Sequence, residues 1–118
     1  MIFDTDIFIW LQKGNKKAAV LVEEAEERYL SIQSYMELLQ CARNKKQHQA
    51  VKDFLTTFDF VVLPLNENIG HRALIYIEEY TLAHNVRSAD ALIAATAVEN
   101  NMLLVSSNVK HFKPIQDL

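Results

Sequence analysis

Glycine and proline are scarce, with two of each in 118 residues. With so few chain-breakers, loops should be few and short and helix plentiful. A single cysteine, Cys41, excludes an intrachain disulfide, and no Cys/His spacing suggests a zinc site. A reducing compartment fits. No apolar run approaches the length of a membrane span. The start does not read as a signal peptide, because Asp4 and Asp6 arrive before any long apolar run. The cytoplasm is therefore the expected location. Positive charge is not in excess either. The formal net charge is -3, which does not favour a simple phosphate-binding module, although an acidic protein can still carry a local basic patch. Repeats, low-complexity tracts and linkers are absent.

What is present suits one globular domain over residues 1–118. Half of the residues are hydrophobic and 23% are charged. Short apolar runs read as buried strands at Met1–Asp4, Tyr29–Gln33, Phe60–Leu63 and Met102–Ser106, with a fifth fragment at Ile115–Leu118. Between them lie helical patterns. Lys16–Arg28 places Ala19, Val20, Val22 and Ala25 inward. Ser34–Arg43 and Gln47–Phe58 follow. A long helix runs from an Asn66 cap to about Ala83, and Ala89–Asn100 follows a Ser88 cap. A short helix or turn holds Lys110–Phe112. Strands alternating with helices imply parallel crossovers and a sheet covered on both faces. In such sheets the working site lies at the carboxyl ends of the strands.

Acids collect at those ends. Asp4 closes the first strand, and it and Asp6 each suit a turn or helix cap, a role Thr5 could share. Glu37 lies three residues after Ser34, the spacing of a capping box. Asp90 opens the run DALIAATAV, apolar except for Thr96. A carboxylate in the first turn gains about 0.3–1 kcal/mol from the helix dipole. Desolvating it unpaired costs several kcal/mol in effect. Arg87, hydrogen bonds, water or a metal must compensate it. Several carboxylates at one sheet edge raise one another's pKa, and a hard divalent cation with oxygen ligands removes that penalty. Asn108 and His111 follow the fourth strand, where a turn residue and a surface histidine are the plain readings.

The stretches IFDTDIFI, SIQSYMELL, RSADALIAATA and LLVSSNVKHFKPI resemble PIN domains, and among them the VapC-type toxins. They come in that family's order and span essentially the whole chain. The resemblance implies a three-layer α/β/α sandwich with a short central parallel sheet. It also implies an endoribonuclease dependent on Mg²⁺ or Mn²⁺, the toxin of a toxin–antitoxin pair. Asp4, Glu37 and Asp90 fall on the acidic motif positions, Asp4 and Asp90 as principal metal ligands. Glu37 would complete the pocket, directly or through water, position water or act as general base. Asp6, Ser34 and Ser106 would support them, and Ser31 also falls on a family position. Asn108 falls where many relatives carry a fourth acid, and so supplies no charge; His111 stands where others place one. Arg87 and Lys110 are candidate RNA contacts, Lys45 and Lys46 weaker ones. An antitoxin partner and a homodimer are further implications. The chain stops at Leu118, earlier than many relatives, which implies a short last strand.

Three rivals have their own residues. Asp4-Thr5-Asp6 also resembles the DxD of haloacid-dehalogenase-type phosphatases, with Asp4 as nucleophile. That reading needs a later Gly-Asp-rich motif, and neither Gly14 nor Gly70 precedes an acid pair. A receiver-like domain needs a late lysine, for which only Lys110 and Lys113 offer themselves. A PIN-like module that binds RNA or protein without cleaving is argued by Asn108 and opposed by the three retained acids.

Overall fold

A computed structural model describes residues 1–118. In chain order the elements are β1 (Ile2–Phe3), α1 (Thr5–Gln12), α2 (Lys16–Glu24), β2 (Arg28–Ser31), α3 (Ile32–Cys41), α4 (Lys45–Thr57), β3 (Phe60–Leu63), α5 (Glu67–His84), α6 (Ser88–Glu99), β4 (Leu104–Val105) and α7 (Val109–Phe112). The four strands form one parallel sheet in the order β3-β2-β1-β4. The chain adds strands on one side of β1 and then crosses back to place β4 on the other. The switch point therefore lies between β1 and β4, where open α/β sheets place their sites.

Helices cover both faces. Leu104 packs with Ile69, Ala73, Ile93 and Ala94 of α5 and α6. Its neighbour Val105 packs on the opposite side with Phe3, Phe8, Leu30 and Leu38. Successive strand residues point to opposite faces, so this split is what a sheet sandwiched between helices requires. Ala91, Ala94, Ala95 and Ala97 are fully buried in α6. Their small side chains let this helix approach α5 and the sheet closely, and that fixes its N-terminus, which carries Asp90. No helix is long and apolar enough to cross a membrane.

Several boundaries differ from the sequence reading. The helix expected to reach Arg28 stops at Glu24. Glu23, Glu24, Glu26 and Glu27 crowd its C-terminal end, where negative charge opposes the dipole. Arg28 instead begins β2, and its guanidinium donates to the carbonyls of Val22 at 2.6 Å and Phe58 at 2.9 Å. The buried positions of α2 are Ala18 and Val22, one turn apart, while Val20 is exposed. Asn66 caps α5 as expected, accepting from Ile69 N. Ser88 does not cap α6; it is the first helical residue, and Arg87 holds the cap position without a side-chain bond. Residues 115–118 make turns rather than a fifth strand. Ile115 is buried against α5 and α6. Asp117 accepts from Arg72 at 2.8 Å and from the Tyr76 hydroxyl at 2.9 Å, holding the tail on α5 away from the sheet edge.

Candidate functional site

The site is built where β1 and β4 end. Asp4 follows β1, and its backbone N–H donates to Val105 O at 2.9 Å, the last rung between the two strands. The Asp4 side chain caps α1, its Oδ1 accepting from Thr5 N at 2.7 Å. Its Oδ2 accepts from the Ser106 hydroxyl, just beyond β4, at 2.8 Å. Both carboxylate oxygens are thus held, and the residue is 7% exposed. Burial pushes the Asp4 carboxyl up to about 7, helped by the charges of Asp6 and Asp90 and opposed by the bonds from Ser106 and Thr5.

Asp6 lies in the first turn of α1 and anchors the segment after β4. Its Oδ2 accepts from Ser107 N at 3.1 Å and from the Ser107 hydroxyl, with Ser106 Oγ at 3.4 Å. Its Oδ1 is buried with no hydrogen-bond partner. Ser106 Oγ also accepts from Asn108 N at 3.0 Å, so one hydroxyl ties Asp4 to the start of α7. The Asn108 side chain is exposed and caps nothing.

Asp90 occupies the first turn of α6, with its side chain 19% exposed. The Nδ1 of His111, from α7, stands 3.9 Å from Asp90 Oδ2. Glu37 sits deeper in its helix than the sequence suggested. Ser31, not Ser34, caps α3, accepting from Ser34 N at 3.0 Å, so Glu37 falls in the second turn and belongs to no capping box. Glu37 Oε1 accepts from Gln33 Nε2 at 3.2 Å. Ser34 is fully buried, and its hydroxyl accepts from Thr5 Oγ1 at 3.0 Å and Ser31 Oγ at 3.3 Å, linking α3 to the start of α1. Arg87 and Lys110 are exposed, and neither pairs with a carboxylate. Lys45 and Lys46 open α4 and are exposed.

No three carboxylate, imidazole or thiol side chains come close enough to enclose an ion by themselves. The donors nevertheless fit a hard cation completed by water. They are all oxygen, Asp4 is held above its ordinary pKa partly by like charge, and a buried carboxylate oxygen of Asp6 has no partner. Asp4 and Asp90, whose charges interact at this edge, are the two that could hold it.

Sequence reasoning missed Ser107, Trp10 and the approach of His111 to Asp90. Trp10 Nε1 donates to Ser107 Oγ at 3.1 Å, a contact between residues 97 positions apart. Nothing in the local sequence signals it. The motif spacing around Asn108 did place His111 near this edge, and that was the available hint.

The PIN domain family profile matches residues 1–117. No curated protein matches the chain by sequence. Among solved structures, a toxin–antitoxin complex from Klebsiella pneumoniae is similar at 27% identity and TM-score 0.82, covering 98% of this chain and 92% of that one. The VapBC-1 structure from nontypeable Haemophilus influenzae is similar at 27% identity and TM-score 0.79, covering 100% and 95%. At 22% identity and TM-score 0.77, VapBC2 from Rickettsia felis, bound to a DNA fragment from its promoter, covers 100% and 96% and shows the fold alone.

Proposed function

The chain belongs to the PIN domain family, and from that premise we propose that it is the nuclease toxin of a toxin–antitoxin pair, hydrolysing RNA phosphodiester bonds with Mg²⁺ or Mn²⁺. The observation that carries this reading is the buried Asp4, fixed at the switch point by Thr5 and Ser106 and close enough to Asp90 for the two charges to interact. A divalent cation there would supply Lewis-acid charge to the phosphate oxygens and acidify water.

The chain's own groups have separable roles. Asp4 and Asp90 present oxygens from two rigid elements, the end of β1 and the first turn of α6. Ser106 fixes the plane of the Asp4 carboxylate. Asp6 fixes Ser106 and Ser107. Glu37, oriented by Gln33, positions water or accepts its proton. Asn108 offers an amide oxygen at the rim. Arg87 and Lys110, free of ion pairs, are available to phosphates. Family membership sets aside the phosphatase and receiver readings. The neutral Asn108 is what favours a second reading, a PIN-like module that binds without cleaving.

The similar structures from Klebsiella pneumoniae and Haemophilus influenzae support a cognate antitoxin as partner. A homodimer and a cytoplasmic location belong to the same proposal. Induction of the wild-type chain should arrest growth, and Asp4→Asn should not. Co-expression of the product of an adjacent small reading frame should relieve the arrest. Equal growth in all these cases would overturn the toxin reading.

A further inference from the structure

Trp10 is the only tryptophan in the chain. It stands one helical turn after Asp6 on α1, so the two side chains share a face. Helical side chains lean toward the N-terminus, here toward the site. Yet Trp10 stays 43% exposed. Its one polar atom is already committed, since Nε1 donates to Ser107 Oγ at 3.1 Å. Ser107 is in turn held by Asp6 through both its N–H and its hydroxyl. The indole is therefore clamped beside the carboxylate pocket by the same bonds that order the pocket. What remains free is ring surface. Lys13 Nζ lies over the ring, 5.6 Å from its centroid, so a cation sits against part of that surface.

An RNA strand entering this pocket meets Asp4, Asp6 and Asp90 on a chain of net charge -3. Electrostatic attraction to phosphates is weak under those conditions. Base stacking on an aromatic ring does not depend on net charge and is available only where bases are unpaired. Resting on the nuclease reading above, we propose that Trp10 is a stacking platform for a nucleobase of single-stranded RNA at the mouth of the pocket, with Lys13 beside the neighbouring phosphate.

Because Trp10 is the sole tryptophan, its fluorescence reports the contact directly. Titrating the chain in EDTA with short single-stranded oligoadenosine should quench the emission saturably, while an RNA duplex of equal length should not. In steady-state cleavage of a single-stranded substrate, Trp10→Ala should raise KM about tenfold while kcat changes far less. Trp10→Phe, which keeps a ring but loses the bond to Ser107, should retain most of the affinity and serves if the alanine variant does not fold. Saturable quenching without any cleavage would uphold the platform and overturn the nuclease reading. Cleavage by the wild type with no quenching and an unchanged KM in Trp10→Ala would overturn the platform alone; this is also the result if the ring is an anchor for a protein partner. A loss confined to kcat would overturn it too, by showing that Trp10 acts only in holding Ser107 and Asp6.

Discussion

Replacing Asp4 by Asn should stabilise the metal-free protein. In the native chain the Asp4 carboxyl titrates at about 7, against an ordinary 3.8 when unfolded. Between those values the native state holds a proton that the unfolded state has released. Stability from this group is therefore fully present below the lower value and is lost as pH rises through the upper one. At ~1.4 kcal/mol per tenfold change, the gap corresponds to a cost of roughly 4 kcal/mol above neutrality, an upper figure that water access reduces. Asn removes the charge but keeps the local bonding. Its amide oxygen can accept from Thr5 N, and its amide can donate to the Ser106 hydroxyl, which now stands as acceptor. Urea unfolding in EDTA should show the Asn variant more stable by about 2–4 kcal/mol near pH 8, and by under half of that near pH 5. Every other titratable group is common to both proteins, so the difference isolates Asp4. Adding Mg²⁺ should raise the midpoint of the wild type and leave the variant unmoved, because a ligand stabilises only the state that binds it. A variant no more stable than wild type near pH 8, or an advantage that ignores pH, would refute this electrostatic account of Asp4.

Other residues give independent checks. Ser106→Ala removes the bond that holds the Asp4 pKa down, so the Asp4 carboxyl carbon, followed by NMR in EDTA, should titrate at higher pH than in wild type. Leu30→Ala empties a fully buried position in β2 and should cost about 2–5 kcal/mol in denaturant unfolding. Asp59 sits at a left-handed φ of 55°, just before β3, so Asp59→Gly should relieve about 1 kcal/mol and raise Tm.

Much of this architecture was legible because local rules and the fold agree. Phe60–Leu63 is a four-residue apolar run after a helix and before Pro64, and β3 occupies those residues. Asn66 precedes a helical pattern and caps α5. The misreadings come from competition that a sequence does not resolve. Ser31 and Ser34 can both cap a helix, and the Ser34–Glu37 spacing favoured the wrong one. The Thr5 hydroxyl, brought in by tertiary packing, finds its partner in a buried Ser34. Ile115–Leu118 reads as a strand fragment by composition, yet Arg72 and Tyr76 of a distant helix hold Asp117 elsewhere. Within the site, Asp4 and Asp90 could be placed on one edge from topology alone. The Trp10–Ser107–Asp6 chain could not, since each link is a side-chain contact across the whole length of the sequence.

In the proposed reaction Asp4 and Asp90 together hold the cation that RNA cleavage needs. The decisive measurement is cleavage of a single-stranded RNA by the purified chain, followed with Mg²⁺ or Mn²⁺ and again after EDTA, beside folded Asp4→Asn and Asp90→Asn variants. Cleavage should require the cation, stop with the chelator, and fall by roughly a hundredfold or more in each variant. An Asp90→Asn protein that cleaves at the wild-type rate would contradict that role for Asp90.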